Sequence, residues 1–319
     1  MSIIQQLTRQ LILLAGLVIV GCGPAFSPTL QPAPSPPLPA GSAWPITVTD
    51  DLGRRVTIET WPQRIVSLLP SNTEILFAVG AGEQVVGVTS YCNYPPEATD
   101  RQQIGGITIQ SISIEAVVAL EPDLVLASGS QRQLIPVLAA AGVTVVALEP
   151  ATLEDIYANL QLVGQITGHP AQAEAIIADM RRRVETVQAK IAAAPASERP
   201  TIFYEVWDEP LMTAGPHTFI GQMIELAGGQ NIFAGVKEDW PQVSPEIIVQ
   251  ANPAVILGPT SHAGALAAEQ IKNRPGWADI AAVRNNRIYL LDQDMVSRPG
   301  PRLIIVLEEI ARDLYPDLF

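Results

Sequence analysis

From about residue 64 onward, short runs of β-branched and aliphatic residues alternate with longer stretches whose apolar positions recur every three or four residues. The first pattern reads as a buried strand and the second as an amphipathic helix. Ahead of this alternation, Ile46, Val48, Val56 and Ile58 around Asp50-Asp51-Leu52-Gly53 predict a hairpin over residues 46–60. Strands are then expected at Arg64–Leu69, Gln84–Thr89, Asp123–Ala127 and Val143–Leu148. Between them fall a helix capped by Ser71 or Asn72 with Glu74 in its first turn, a helix at Glu115, and one near Gln131–Ala141. A second set follows: strand Thr201–Val206, loop Trp207–Pro210, helix near Phe219–Ala227, a helix at Glu246, strand Ala254–Gly258, helix near Ala263–Lys272, strand Arg287–Leu291 and a last helix at about Arg302–Leu314. Such alternation implies α/β architecture with parallel sheets and right-handed crossovers.

Between the two sets the character changes. Residues 152–167 read as one helix, broken at Gly168-His169-Pro170. Residues 171–194 then carry no Gly or Pro, and Ala173, Ile176, Ile177, Met180, Val184, Val187 and Ile191 fall at helical spacing. A helix of that length spans roughly 36 Å. It is expected as a stiff strut between two α/β lobes, residues 46–150 and 196–319, with residues 151–195 as the linking helices.

One pattern occurs in both lobes. Ser113-Ile-Glu115 leads through a short amphipathic stretch to Pro122 and an apolar run; Ser244-Pro-Glu246 leads likewise to Pro253 and an apolar run. Each Ser is expected to cap a helix through its hydroxyl. Each Glu falls in the first turn, where the helix dipole favours a carboxylate. Each Pro stops the helix. Both lobes therefore present one carboxylate at a helix start, and a two-fold symmetric partner with basic pockets would match the pair.

Composition narrows the class. Of 319 residues 16% are charged and 48% apolar, and the net charge is −13, so the chain is a compact globular protein and a poor partner for nucleic acid. Arg9 and the apolar run Leu11–Val20 form a secretion signal over residues 1–21, too short for an ordinary membrane span. Ile19-Val20-Gly21-Cys22 resembles a bacterial lipobox, so Cys22 is expected to be lipidated. Residues 22–45, rich in proline, would then tether a monomer to the cell membrane, in the periplasm or at the outer face. Cys92, the other cysteine, is expected as a lone thiol, buried or inert.

Catalytic chemistry is thin. His169, His217 and His262 are scattered without metal-ligand spacing, and neither a G-x-S-x-G elbow nor a Walker-type loop occurs. Gly80-Ala-Gly82 follows a helix and precedes a strand, the reverse of a dinucleotide loop. No catalytic residue, metal or cofactor is expected. Several aromatic and polar residues instead fall in loops at predicted carboxyl ends of strands, where open α/β sheets bind ligands. These are Tyr91 and Tyr94, Trp207, Asp294 and Arg298, joined by Trp240 just before the second Glu helix. Aromatic faces with a few polar groups suit a large, flat, partly apolar ligand. An extracellular enzyme or adhesion domain on the same scaffold is the alternative from another class.

These residues bring out a resemblance. Arg64 to Glu83 (RIVSLLPSNTEILFAVGAGE), Ser90-YCNYPP-Glu97, Ser113-IEAVVALEPDLVL, Trp240-PQVSPE-Ile247 and Arg298-PGPR-Leu303 are similar to stretches of the helical-backbone substrate-binding proteins of ABC importers, and most so to the cobalamin-binding ones. The resemblance implies two lobes joined by one long helix, with one ligand held between them. It implies that Glu115 and Glu246 dock onto arginines of the permease, one per subunit, beside its ATPase subunits. Among cobalamin binders, the positions of Tyr91, Trp240, Asp294 and Arg298 approach the corrinoid. Before Glu115, where a tryptophan can occur in that pattern, this chain has Gly105-Gly-Ile-Thr-Ile-Gln110. Haem or a ferric siderophore is therefore the alternative cargo.

Overall fold

The computed structural model describes residues 44–195, 198–260 and 268–319. The signal segment, Cys22, most of the tether, His262 and the start of the helix expected near Ala263 lie outside the described residues.

The hairpin forms as β1 (Ile46–Thr49) and β2 (Arg55–Ile58), with Val48 opposite Val56. In the first lobe β3 (Ile65–Ser67), α1 (Pro70–Ala78), β4 (Val85–Val88), β5 (Gln102–Gln103), α2 (Ile114–Ala119), β6 (Leu124–Ala127), α3 (Ile135–Ala140) and β7 (Thr144–Ala147) follow in order. The strands pair in the order β5-β4-β3-β6-β7, and every pairing is parallel. β3 and β6 are buried along their whole length, as strands covered on both faces must be. Then come α4 (Leu153–Thr167) and α5 (Pro170–Ile191).

The second lobe runs β8 (Thr201–Asp208), β9 (Leu211–Thr213), α6 (Phe219–Leu226), β10 (Gln230–Asn231), α7 (Pro245–Ala251), β11 (Val255–Pro259), α8 (Ala268–Lys272), α9 (Ala281–Arg284), β12 (Ile288–Leu291), α10 (Gln293–Val296) and α11 (Leu303–Leu314). Its parallel strands lie in the order β10-β8-β11-β12, and β9 returns antiparallel along the end of β8. The strand after each Glu helix thus pairs with the first strand of its own lobe, β6 on β3 and β11 on β8.

α5 spans 22 residues, roughly 33 Å of helix. Gly168 ends α4 in the left-handed region at φ 83°, and Pro170 opens α5, where its fixed φ suits a first turn. Ala173, Met180, Val187 and Ile191 form its buried stripe. One continuous core runs from Ile65 and Val85 of the first lobe, through this stripe, to Ile202, Val255 and Leu307 of the second. The opposite faces of the two sheets pack separately: Val117 of α2 and Leu138 of α3 cover one, Ile248 of α7 and Trp277 the other. The molecule therefore has a shared helical back and two independent outer faces.

Some local details differ from the sequence reading. α1 starts at Pro70 behind Leu69 with no side-chain cap. Asn72 lies inside the helix and donates across to the Ala127 carbonyl of β6 at 3.0 Å, and Thr73 bonds the Ser67 hydroxyl. Ser113 caps α2 as expected, accepting from Ala116 N–H at 3.1 Å, but Ser244 makes no side-chain cap on α7. There the Ser244 hydroxyl turns instead to the Glu246 carboxylate. Trp207 and Asp208, expected in a loop, extend β8 because β9 pairs with them.

Two consequences are measurable. Met180 is 2% exposed in the shared core, so Met180→Ala should destabilise the whole protein by about 2–5 kcal/mol in urea unfolding. Asp313, on α11, is pushed up to about 6 from 3.8 by burial and then by Glu309. A folded-state value above the unfolded one means that its contribution is full below about pH 4 and is lost as pH rises through 6. Asp313→Asn should raise Tm by about 1–3 °C at pH 8 and leave it unchanged at pH 4.

Candidate functional site

The carboxyl ends of the strands converge on one place. Leu69–Ser71 after β3, Tyr91 after β4, Ser128 after β6 and Leu148–Pro150 after β7 meet Gln293, Asp294 and Ser297–Pro299, which follow β12 in the other lobe. Together they enclose a cavity of about 330 Å³. The first lobe reverses strand order on either side of β3, and such a switch point leaves an open crevice at the strand ends. A larger groove of about 1140 Å³ runs along α4 and α5 beside Tyr157, Arg181 and Gln230. It is wide open and draws on no carboxyl end of a central strand, so the inter-lobe cavity is the better candidate.

Of the residues singled out in the sequence, the structure gathers Tyr91, Asp294 and Arg298 at this cavity. Asp294 lies on α10, a helix capped by the Asp292 carboxylate accepting from Met295 N–H at 2.9 Å. Trp207 and Trp240 stand outside the lining. Trp207 is 54% exposed near the tip of the β8–β9 hairpin, its indole N–H donating to the Glu209 carbonyl at 2.9 Å. Trp240 is 40% exposed and meets Phe219 edge-on at 6.0 Å. Its segment is strapped to the hairpin by Thr213 N–H donating to the Pro241 carbonyl and Gly215 N–H to that of Asp239. Both tryptophans therefore sit at the carboxyl end of the second sheet, the end that faces the first lobe. Tyr94 is turned away from the cavity, with the Arg302 guanidinium stacked on its ring at 4.0 Å in a separate pocket.

A polar network joins the lobes at the cavity wall. Arg298 Nη1 donates to Asn93 Oδ1 at 2.6 Å and to Glu74 Oε1 at 3.1 Å; Nη2 donates to the Tyr91 carbonyl at 3.2 Å and pairs with Asp294 Oδ1 at 2.6 Å. Asn93 Nδ2 returns a bond to Asp294 Oδ2 at 2.7 Å. Arg302 grips Glu74 through Nε at 2.8 Å and Nη2 at 2.6 Å. Burial works against the Arg302 charge, yet the bond to Glu74 holds its pKa above the ordinary guanidinium value. Glu74 and Asn93 were not legible as site residues. In the sequence Glu74 reads as an ordinary first-turn helix residue; because α1 starts at Pro70 it falls in the second turn, and its partners lie more than 220 positions away.

Glu115 and Glu246 are both exposed, on the outer faces away from the shared back. Each is followed three residues later by an exposed valine, Val118 and Val249. A residue in the left-handed region precedes each proline, Glu121 at φ 47° and Asn252 at φ 46°, so the two units end alike. The Glu246 carboxyl is held below the usual glutamate value by its own backbone N–H and by Ser244. Cys92 is buried as a free thiol, against the hydroxyls of Thr73 and Thr89. Among the described residues no group of three or more His, Cys, Asp or Glu side chains is arranged to hold a metal ion.

Two α/β lobes on a shared helical back, with a cavity where their strand ends face, define a solute-binding protein of the helical-backbone class. The chain belongs to the periplasmic binding protein family, whose sequence model matches residues 65–295. It is 34% identical to YvrC of Bacillus subtilis, described as an uncharacterised ABC transporter substrate-binding lipoprotein, over 97% of this chain and 96% of that one. It is 33% identical to a cobalamin-binding protein of Halobacterium salinarum, over 93% of this chain and 83% of the relative. The periplasmic haem-binding protein RhuT of Roseiflexus superposes with a TM-score of 0.70 at 29% identity, covering 81% of this chain and 99% of that one. The protein is thus a substrate-binding component of an ABC transporter and not an enzyme.

Proposed function

We propose that the protein is an extracytoplasmic lipoprotein, anchored through Cys22, that captures a corrinoid such as cobalamin in the cleft and delivers it to an ABC permease and its ATPase subunits. The observation that carries the corrinoid over its rivals is the charge balance of the cavity. Among the described residues its lining holds three charged ones, Glu149, Asp294 and Arg298, and Arg298 is already paired with Asp294 and Glu74. Haem brings two carboxylates and many ferric siderophores are anionic, so either calls for unpaired cations. A corrinoid's rim carries mainly neutral carboxamides, which Asp294, Ser128 and Gln293 suit as hydrogen-bonding partners. Tyr91 would meet the ring at the cavity, and Trp207 and Trp240 would extend the apolar surface beyond it. The cobalamin-binding relative supports the same reading. A second reading, haem, draws on the exposed Tyr91 phenol beside the cavity, since a tyrosine can ligate haem iron.

Delivery rests on Glu115 and Glu246, each paired with its neighbouring valine as a small mixed patch that a permease subunit can meet with an arginine.

Calorimetric titration of the full chain in lipid nanodiscs, with cyanocobalamin, hemin and a ferric siderophore in parallel, tests the ligand. Saturable one-to-one binding of cyanocobalamin alone is expected, weakened about tenfold by Trp240→Ala. Binding of hemin without cyanocobalamin replaces the corrinoid. For delivery, Glu115→Arg combined with Glu246→Arg should leave titration unchanged and abolish cellular uptake; uptake that survives the pair refutes docking through these residues.

A further inference from the structure

We infer that Glu74, which does not touch the cavity, sets the charge class of ligand that the cavity accepts. The inference rests on the reading of the inter-lobe cavity as the ligand site and adds to it the residue that controls its charge.

Glu74 sits on α1 with its side chain 2% exposed. A carboxylate buried so deeply is tenable only when paired, and two guanidinium groups of the other lobe pair it. Arg302 lies on its far side, stacked on Tyr94. Arg298 lies between Glu74 and the cavity, where it also meets Asp294. Two carboxylates and two guanidiniums make a neutral set, and Glu149 adds a further carboxylate to the lining, so among the described residues the cavity wall presents guanidinium hydrogen bonds already committed to protein and no surplus positive charge. Glu74→Gln keeps the shape of the side chain and removes one negative charge from the set: Arg298 keeps Asp294, Arg302 loses its carboxylate partner, and the set carries one surplus positive charge behind the wall. Arg302→Gln does the opposite. It leaves Glu74 facing Arg298 alone and makes the set net negative.

The test compares two ligands of one shape: cyanocobalamin and its dicarboxylate, in which two rim carboxamides are hydrolysed. Wild type in nanodiscs is expected to prefer cyanocobalamin. Glu74→Gln should narrow that preference at least about fivefold, the scale of one partly screened charge nearby, and Arg302→Gln should widen it. If Glu74→Gln does not fold, the opposite sign in Arg302→Gln still decides the matter. Equal weakening of both ligands, with the ratio unchanged in either folded variant, gives these residues a purely structural role and overturns the inference while the corrinoid reading stands. If wild type binds hemin and no corrinoid, the corrinoid reading fails. Glu74 is then judged on hemin against its dimethyl ester: a shift toward hemin in Glu74→Gln supports the inference, and an unchanged ratio overturns it.

Discussion

The apolar stripe of α5 is the constraint to which the rest of the molecule is registered. Ala173, Met180, Val187 and Ile191 are buried in a core that holds residues from both sheets, so neither lobe has a back of its own. Swinging one lobe against the other would shear that core, and interiors packed at crystal density resist shear. Polar bracing reinforces it, with Arg183 of α5 holding Glu308 of α11 through two bonds at 2.7 and 2.6 Å. The cavity between the lobes is therefore largely preformed, and little binding energy is needed to shape it.

At the front, a seam of ion pairs and hydrogen bonds also joins the lobes. Glu74 and Asn93 of the first lobe hold Arg298, Arg302 and Asp294 of the second. Removing one partner of a buried ion pair typically costs about 3–5 kcal/mol, because the other charge is left unsatisfied. The seam is thus both a latch and part of the site. The groups that fix the width of the cavity also fix its electrostatics, so a substitution there alters both together.

Much of this was legible in the sequence. The alternation of strand and helix, the strut and the repeated Ser-x-Glu units follow from period and spacing, which are local properties. Tyr91, Asp294 and Arg298 could be placed near a ligand because they follow strands, and strand ends converge in such sheets. What stayed hidden was long-range or depended on competition between neighbours. Glu74 meets Arg298 and Arg302 only after the lobes assemble. Ser71 and Asn72 looked like caps, but Pro70 starts the helix and Asn72 is drawn to the Ala127 carbonyl. Trp207 looked like a loop residue because β9, a strand of three residues, is too short to announce itself.

The matched left-handed turns at Glu121 and Asn252 have a consequence for the partner. Each locks a Glu helix to the strand behind it, and those strands are central in sheets fixed to one back. The two exposed carboxylates are consequently held like the jaws of a caliper set to a single opening. Under the proposed docking, a permease that grips both would measure a distance as well as a charge, and a protein with the same glutamates on a longer or shorter back would fail the measurement.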